Sequence, residues 1–215
     1  MLSFRGLKRE EWVQLESFFC EVEGRRGNFV FLDPTDNLVA WSEDLTQDAW
    51  TRDPFLEVTM GVRDARGGTS AARLRNSGPV VQKIEQALAV PGWYQYCLSG
   101  WLRSEQGAGV TLFGRTGTAG EARSFQVSDA WRRFVLPVKL NCLEELVRFG
   151  LEVEPGQVVE VFGIQVEAQA APSHYKATQS RCGIHASARL GSDVLEVVAE
   201  GADAFACSVT VVVTV

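Results

Sequence analysis

The middle of the chain is a succession of short strand-like segments, and this feature restricts the fold more than any other. Between residues 51 and 176, runs rich in Val, Phe, Leu and Tyr are separated by Gly, Pro, Ser and Asn at intervals of about 8–12 residues. Such spacing is typical of a β-sandwich or barrel. The segment VQKIEQALAV also fits a short helix by its spacing, and we predict a strand there. The region as a whole predicts an all-β domain.

The two ends of the chain carry different patterns. Near the N-terminus, apolar residues recur at spacings of three and four or their sums, which predicts one amphipathic helix with Gly24 as its C-cap. Its stripe consists of Leu7, Trp12, Leu15, Phe18, Phe19 and Val22. At the C-terminus, SVTVVVTV alternates strictly and predicts a single long strand. The apolar face of that strand consists of Cys207, Val209, Val211, Val213 and Val215.

Composition excludes several classes of protein. The net charge is −6, and acidic residues outnumber basic ones in each part of the chain, so we expect no nucleic-acid partner. Five cysteines without a CxxC motif indicate reduced thiols rather than a disulfide framework. The N-terminus lacks the apolar region of a signal peptide. No run of apolar residues reaches the 18 that a membrane span needs, so we predict none.

Catalytic and metal-binding motifs are sparse. The two histidines lie in no nucleophile motif, and Cys182 with His185 supplies only half of the four ligands that a structural zinc site needs. Neighbouring acids, such as Glu144 and Glu145, do not report the paired geometry of a glycosidase. We therefore predict that the protein is not an enzyme and has no cofactor.

The two flanking segments carry a pair of motifs. EEWVQLESFFCEVEGRRGNFVFLDPTDN has the pattern of a helix, Gly-Arg, an aromatic strand and Asp, and GIHASARLGSDVLEVVAEG contains Arg189, Leu190, Asp193 and Leu195 after a strand. These segments resemble the distal-tail and tail-tip proteins of long-tailed phages and gene-transfer agents, with Leu190 in place of the family's usual aromatic. The resemblance implies a subunit of a ring, hexameric in the family, that contacts other tail proteins. The residues that it assigns to assembly are Trp12, Phe18, Phe19, Arg25, Arg26, Arg189 and Asp193.

The region between them contains four motifs in order, which are DNLVAWSEDLTQDAWT, YQYCLSGWLRS, AWRRFVLPVKL and VFGIQVEAQAAPSHYKAT. They resemble the motifs of inserted jelly-roll modules of phage tail proteins, which are similar to carbohydrate-binding modules. The predicted architecture is mainly β, with a jelly-roll β-sandwich (37–176) inserted into a small, β-rich, discontinuous tail-ring domain (1–36 and 177–215). Because sugar-binding jelly rolls often hold a structural calcium ion, the resemblance makes Glu43 and Asp44 its candidate ligands.

Sugar sites stack the C–H faces of a sugar on exposed aromatic rings, so the aromatic residues of the module are the candidate glycan-binding residues. By strand alternation, Tyr94 and Tyr96 share one face, and Trp93 and Trp101 share the other. One of the two faces must be core. Trp50 lies in the opening arm of the module, which we define as residues 36–50. It either anchors that arm against the core, as large aromatic residues mostly do, or stacks on a sugar. The full set of candidates is Trp50, Trp93, Tyr94, Tyr96 and Trp101.

Together these resemblances imply a structural protein of the tail tip, or baseplate, of a phage or phage-like particle. We expect it to be made in the bacterial cytoplasm and built into the virion tail, with an outward module that binds host surface polysaccharide. A free-standing carbohydrate-binding protein is the alternative, and it would be a monomer. A glycan-cleaving enzyme is a third interpretation, which requires a carboxylate pair in a cleft.

Overall fold

The protein is mainly β, as predicted. The structure is a computed structural model that describes residues 1–213. Within that range lie one α-helix, α1 (Arg9–Glu21), and sixteen strands. The strands are β1 (Leu2–Leu7), β2 (Phe29–Leu32), β3 (Thr51–Arg52), β4 (Leu56–Val62), β5 (Ala71–Asn76), β6 (Gln82–Leu88), β7 (Gln95–Arg103), β8 (Ala108–Arg115), β9 (Gly120–Val127), β10 (Arg132–Lys139), β11 (Val147–Val153), β12 (Val158–Glu167), β13 (Ile184–Leu190), β14 (Val197–Gly201), β15 (Ala204–Val209) and β16 (Val211–Val212).

The chain divides into two compact units. The flanking unit consists of Met1–Leu32 and the segment from Ile184 onward, and the central unit is Asp33–Gly183. The sequence-based expectation has its boundaries after residues 36 and 176 instead. The assignment of these units to a tail-ring domain and an inserted carbohydrate-binding module stays a prediction.

The central unit is a sandwich of two five-stranded antiparallel sheets. One sheet has the order β10-β7-β12-β5-β4 and the other has the order β3-β6-β11-β8-β9. Alternation along the strands builds the core, because successive side chains of a strand point to opposite faces. In β11, for example, Phe149 and Leu151 are buried while Arg148 and Glu152 are partly exposed. The VQKIEQALAV segment contains β6, so the prediction of a strand there is confirmed.

Hydrogen bonds of Asn37 tie the opening arm of the central unit to β12 and the segment that follows it. The side-chain amide of Asn37, which is fully buried, donates to the carbonyl oxygens of Ile164 and Lys176. The Asn37 Oδ1 atom accepts from the backbone N–H groups of Val39 and Val166. Four hydrogen bonds from one side chain therefore join the two ends of the unit.

The flanking unit contains α1 and two three-stranded sheets, of orders β1-β15-β14 and β16-β13-β2. The helix is confirmed from residue 9 onward. Leu7, which the sequence places on the helical stripe, instead ends β1. The rest of the stripe is correct, since Leu15, Phe18 and Phe19 pack against a small core. That core consists of Val22, Leu190 and Val209.

The strand expected at the C-terminus is interrupted. β15 ends at Val209 and pairs with β1 and β14, whereas β16 begins at Val211 and pairs with β13. Thr210 lies between them, and its carbonyl oxygen accepts a hydrogen bond from Gly191 N–H. The alternation of SVTVVVTV is therefore divided between two sheets and does not form one strand. Val215 lies outside the described residues.

Candidate functional site

A tight turn between β6 and β7 displays two neighbouring aromatic residues. Tyr94 N–H donates to the carbonyl oxygen of Pro91 (3.2 Å), and the buried Tyr96 hydroxyl donates to the same oxygen (2.7 Å). Gly92 is required here, since a Cβ atom at this position would lie 2.5 Å from Cys142 Sγ and 2.9 Å from the carbonyl oxygen of Glu144. The close approach fixes the turn that carries Trp93 and Tyr94.

The Trp93 and Tyr94 side chains form an exposed aromatic surface. Trp93 is 58% exposed and Tyr94 is 40% exposed, values at which large aromatic residues are available to a ligand. Their ring centroids lie 5.7 Å apart with an interplanar angle of 81°, an edge-to-face arrangement. The Tyr94 ring in turn lies edge-on to Tyr96, at 5.7 Å, so the exposed pair rests on a core residue.

Polar groups surround these rings. A groove of about 280 Å³ lies beside them, and Gln95, Lys139 and Gln169 contribute its hydrogen-bonding side chains. Gln95 and Lys139 are cross-strand partners at the end of the β7–β10 ladder. Gln169 donates through Nε2 to Glu167 Oε1 (2.9 Å). We call this site the aromatic platform, and it consists of Trp93, Tyr94, Gln95, Lys139 and Gln169.

Three of the five predicted glycan-binding residues are occupied by packing and do not belong to the platform. Trp50 is buried, and its indole Nε1–H donates to the carbonyl oxygen of Trp41 (3.1 Å), so it anchors the opening arm. Tyr96 is fully buried against Phe149, and this burial raises the pKa of its hydroxyl. Neither ring has a face that a sugar can reach, and both are withdrawn as candidates.

Trp101 is also occupied by packing. Its ring lies 5.8 Å from Phe162 and 5.6 Å from Tyr175, and the Arg133 guanidinium lies over it at 4.6 Å. Strand alternation places Trp93 and Trp101 on one face, but the structure exposes Trp93 and packs Trp101. Trp93 and Tyr94 precede β7 and belong to a turn, where the period of two does not apply.

Sequence reasoning missed most of the polar partners of the platform. Gln95 adjoins the aromatic residues in sequence, but Lys139 ends β10 and Gln169 follows β12. Only the strand order, with β7 between β10 and β12, brings these three residues together. No spacing in the sequence reports that neighbourhood.

The proposed calcium ligands lie in the opening arm. Asp44 accepts hydrogen bonds from the Thr46 hydroxyl (2.6 Å) and from Gln47 Nε2 (2.7 Å), and these side chains lower the pKa of its carboxyl. Glu43 and Asp44 line a groove of about 400 Å³ together with Trp41 and Thr178. Among residues 1–213, no three His, Cys, Asp or Glu side chains converge on a common point. Calcium binding at this arm stays a prediction.

The residues assigned to assembly lie in the flanking unit, where several of them serve its own packing. Trp12 stacks on Phe205 at 6.3 Å, and Phe18 meets Phe29 edge-on at 5.1 Å. Phe19 packs on the small core described above. Arg26 and Arg189 are exposed.

Arg25 and Asp193 link the N-terminal and C-terminal segments of the flanking unit. Two Arg25 nitrogens, Nη2 and Nε, lie 2.7 and 2.8 Å from Asp193 Oδ2, and Arg25 N–H donates to Oδ1 (2.9 Å). The Arg25 side chain thereby holds the pKa of the Asp193 carboxyl below its usual value. Gly24, with φ of +61°, permits this approach, since a Cβ atom there would lie 2.8 Å from Asp193 Oδ1.

Comparison with solved structures identifies the fold. The chain is similar to the enzymatically active domain of tailspike protein 4 of bacteriophage CBA120, with a TM-score of 0.51, 12% identity and coverage of 64% of this chain and 22% of that one. It is also similar to the C-terminal family 22 carbohydrate-binding module of Clostridium thermocellum Xyn10B, with a TM-score of 0.50, 13% identity and coverage of 65% and 99%. The chain thus spans about a fifth of the length of the tailspike chain.

These similarities confirm the predicted jelly-roll β-sandwich, of the kind seen in carbohydrate-binding modules. No protein-family model matches the chain, and no curated protein matches it. Within residues 1–213, the single helix is too short and too polar to cross a membrane.

Proposed function

We propose that the protein binds a glycan through the aromatic platform. The observation that carries the proposal is the exposure of Trp93 and Tyr94 beside amide and ammonium groups on a jelly-roll sandwich. Aromatic faces accept the C–H face of a sugar ring, while Gln95, Lys139 and Gln169 supply hydrogen bonds for its hydroxyl groups. The groove thus offers stacking surfaces and hydrogen-bonding groups, so we assign binding rather than bond cleavage.

Retardation in gels that contain polysaccharide tests this function. Trp93→Ala should reduce the affinity for the retarding polysaccharide at least about tenfold, because it removes the largest exposed contact surface of the site. Tyr94→Ala should reduce it less. The matched control is Phe55→Ala, which removes another exposed aromatic residue of the same unit and should leave retardation unchanged.

The outcomes distinguish glycan binding at the aromatic platform from binding elsewhere on the protein surface. Loss of retardation in Trp93→Ala but not in Phe55→Ala supports the assignment. Equal retardation of the wild type, Trp93→Ala and Tyr94→Ala would mean that the glycan binds elsewhere.

For the flanking unit, we propose a structural role in the tail tip of a phage or phage-like particle. Arg25 and Asp193 lie 168 residues apart in sequence, in the two segments that resemble distal-tail proteins, and they bond in one compact unit. This juxtaposition supports a single domain that is interrupted by the central unit. In this proposal the flanking unit assembles into a ring with its copies and contacts other tail proteins, and the glycan is on the host surface.

A further inference from the structure

A second groove lies on the central unit, formed by a sheet face and by the β7–β8 and β11–β12 loops beside it. Three neighbouring strands place Arg73, Glu160 and Arg103 side by side, since Glu160 of β12 is the cross-strand partner of Arg73 in β5 and of Arg103 in β7. Glu160 lies between Val159 and Val161, which are core residues, so its side chain is on the opposite face of the sheet. The groove shares no lining residue with the aromatic platform.

The Glu160 carboxylate is buried and fully engaged. Its side chain is 4% exposed, and Oε1 accepts from Arg73 Nη2 (2.6 Å) and Nε (3.2 Å), while Oε2 accepts from Arg103 Nε. A buried carboxylate with this pairing fixes the positions of both arginine side chains. Arg73 remains about half exposed, so its other edge is available to a ligand.

Arg75 supplies a positive charge beside this pair. It lies two residues beyond Arg73 on the same face of β5 and is exposed. Within residues 1–213, it takes part in no ion pair. Three arginines, at 73, 75 and 103, and three carboxylates, at 57, 105 and 160, lie in or beside the groove, since Glu57 is the cross-strand partner of Arg75. The formal charges therefore balance, and the donors that remain for an anion are Arg75 and the exposed edge of Arg73.

The groove has the other features that a sugar requires. Its volume is about 450 Å³, and the exposed Gln106 offers a hydrogen-bonding group for hydroxyls, whereas the buried Ser104 hydroxyl donates to the carbonyl oxygen of Val158 (2.7 Å). The half-buried Val158 presents apolar surface to the C–H groups of a ring. Gly156 leaves open space, since a Cβ atom there would meet nothing within 4 Å.

We propose that this groove binds a sugar that carries a carboxylate, with the carboxylate on Arg75 and Arg73. A guanidinium presents a planar fork of donors that matches a carboxylate, which makes arginine better suited to this anion than lysine. The inference rests on the proposed glycan-binding function and specifies a substrate class, the acidic polysaccharides. We call the site the arginine groove, and it is lined by Arg73, Arg75, Ser104, Glu105, Gln106, Gly156, Val158 and Glu160.

Gel retardation of the full chain tests the proposal with defined polymers. The probes are polygalacturonate, alginate and hyaluronate, with methyl-esterified polygalacturonate as the neutral match and dextran sulfate as a polymer with a different anion. Arg75→Gln removes the charge and keeps the Arg73–Glu160–Arg103 pairing, so the fold is preserved. Arg52→Gln, an exposed arginine of β3, is the matched control.

We expect at least one of the three uronate polymers to bind the wild type, and to bind it better than the ester and dextran sulfate. Arg75→Gln should weaken that binding about tenfold, since a charge-assisted hydrogen bond is lost, whereas Arg52→Gln should not. Retardation should also fall as salt is added, because exposed charges are screened.

Three other results would overturn the inference, and they differ in what they leave standing. Equal retardation by the acid and its ester, unchanged in Arg75→Gln but lost in Trp93→Ala, would retain the platform and refute the arginine groove. Equal binding of dextran sulfate would reduce the groove to a general anion site. No retardation of the wild type by any polysaccharide would refute both the groove and the proposed function.

Discussion

At the scale of single residues, Asn37 shows how a short polar side chain holds the opening arm of the central unit in place. Asn37 is buried, and its amide group makes four hydrogen bonds to backbone groups that have left water. Each buried backbone group that loses its hydrogen-bond partner lowers the free energy of unfolding by about 1–3 kcal/mol. The contribution of this residue to stability should therefore exceed that of an ordinary polar residue.

Asn37→Ala should lower the free energy of unfolding by at least about 3 kcal/mol, because it leaves several buried backbone groups without partners. Urea denaturation measures this change. Asn28→Ala, at an exposed asparagine, should change it by less than about 0.5 kcal/mol. An equal, small effect of both substitutions would mean that water replaces the Asn37 amide without loss.

Two tryptophans, Trp50 and Trp93, show why the sequence alone could not locate the site. Trp50 and Trp93 both occur in polar, strand-flanking segments, yet one is buried and the other is 58% exposed. What separates them is a tertiary contact. Trp50 donates to Trp41 in the folded arm, whereas the Gly92 turn displays Trp93. Aromatic residues could be nominated from sequence, but their exposure depends on packing that no local pattern encodes.

At the scale of elements, an irregularity in β12 shapes the sandwich. The register between β12 and β7 shifts between Phe162 and Gln165, and Gly163 lies in this bulge with φ of +62°. A Cβ atom there would approach Trp101 and Tyr175 to 3.2 and 3.1 Å. Both the conformation and the space therefore favour glycine.

Gly163→Ala should destabilise the protein by about 1–3 kcal/mol more than Gly61→Ala. Gly61 lies at a register shift in β4 with φ of +86°, and nothing lies within 4 Å of its Cβ position, so it matches the backbone strain without the steric contact. Thermal unfolding of both variants measures the difference. Equal destabilisation would show that the Trp101–Tyr175 cluster adjusts at no cost.

The helix and strands could be predicted from the sequence better than the residues of the candidate site. Hydrophobic alternation and turn residues are local, so most strands and the helix could be read from sequence. The C-terminal alternation failed as a single strand because Thr210 separates β15 from β16, and their partners come from different sheets. Strand partners depend on distant segments, and the same dependence hides both the polar side of the platform and the arginine groove.

At the scale of the whole molecule, the central and flanking units have different proposed tasks. The central unit carries the aromatic platform and the arginine groove, whereas the flanking unit brings together the two segments that resemble tail proteins. A free-standing carbohydrate-binding protein would use the central unit alone. Assembly by the flanking unit is what distinguishes a tail-ring subunit from that alternative.

The mass of the full chain in solution, determined by light scattering, measures assembly most directly. One chain has a mass of 23.6 kDa, and a tail-ring subunit should form a closed cyclic assembly. The resemblance to distal-tail proteins implies a hexamer, so the expected mass is about six times that of one chain. Arg189→Glu, at an exposed residue assigned to assembly, should shift the mass toward that of one chain, while Arg52→Gln should not. A wild-type mass of one chain at all concentrations would contradict self-assembly and favour the free-standing carbohydrate-binding protein.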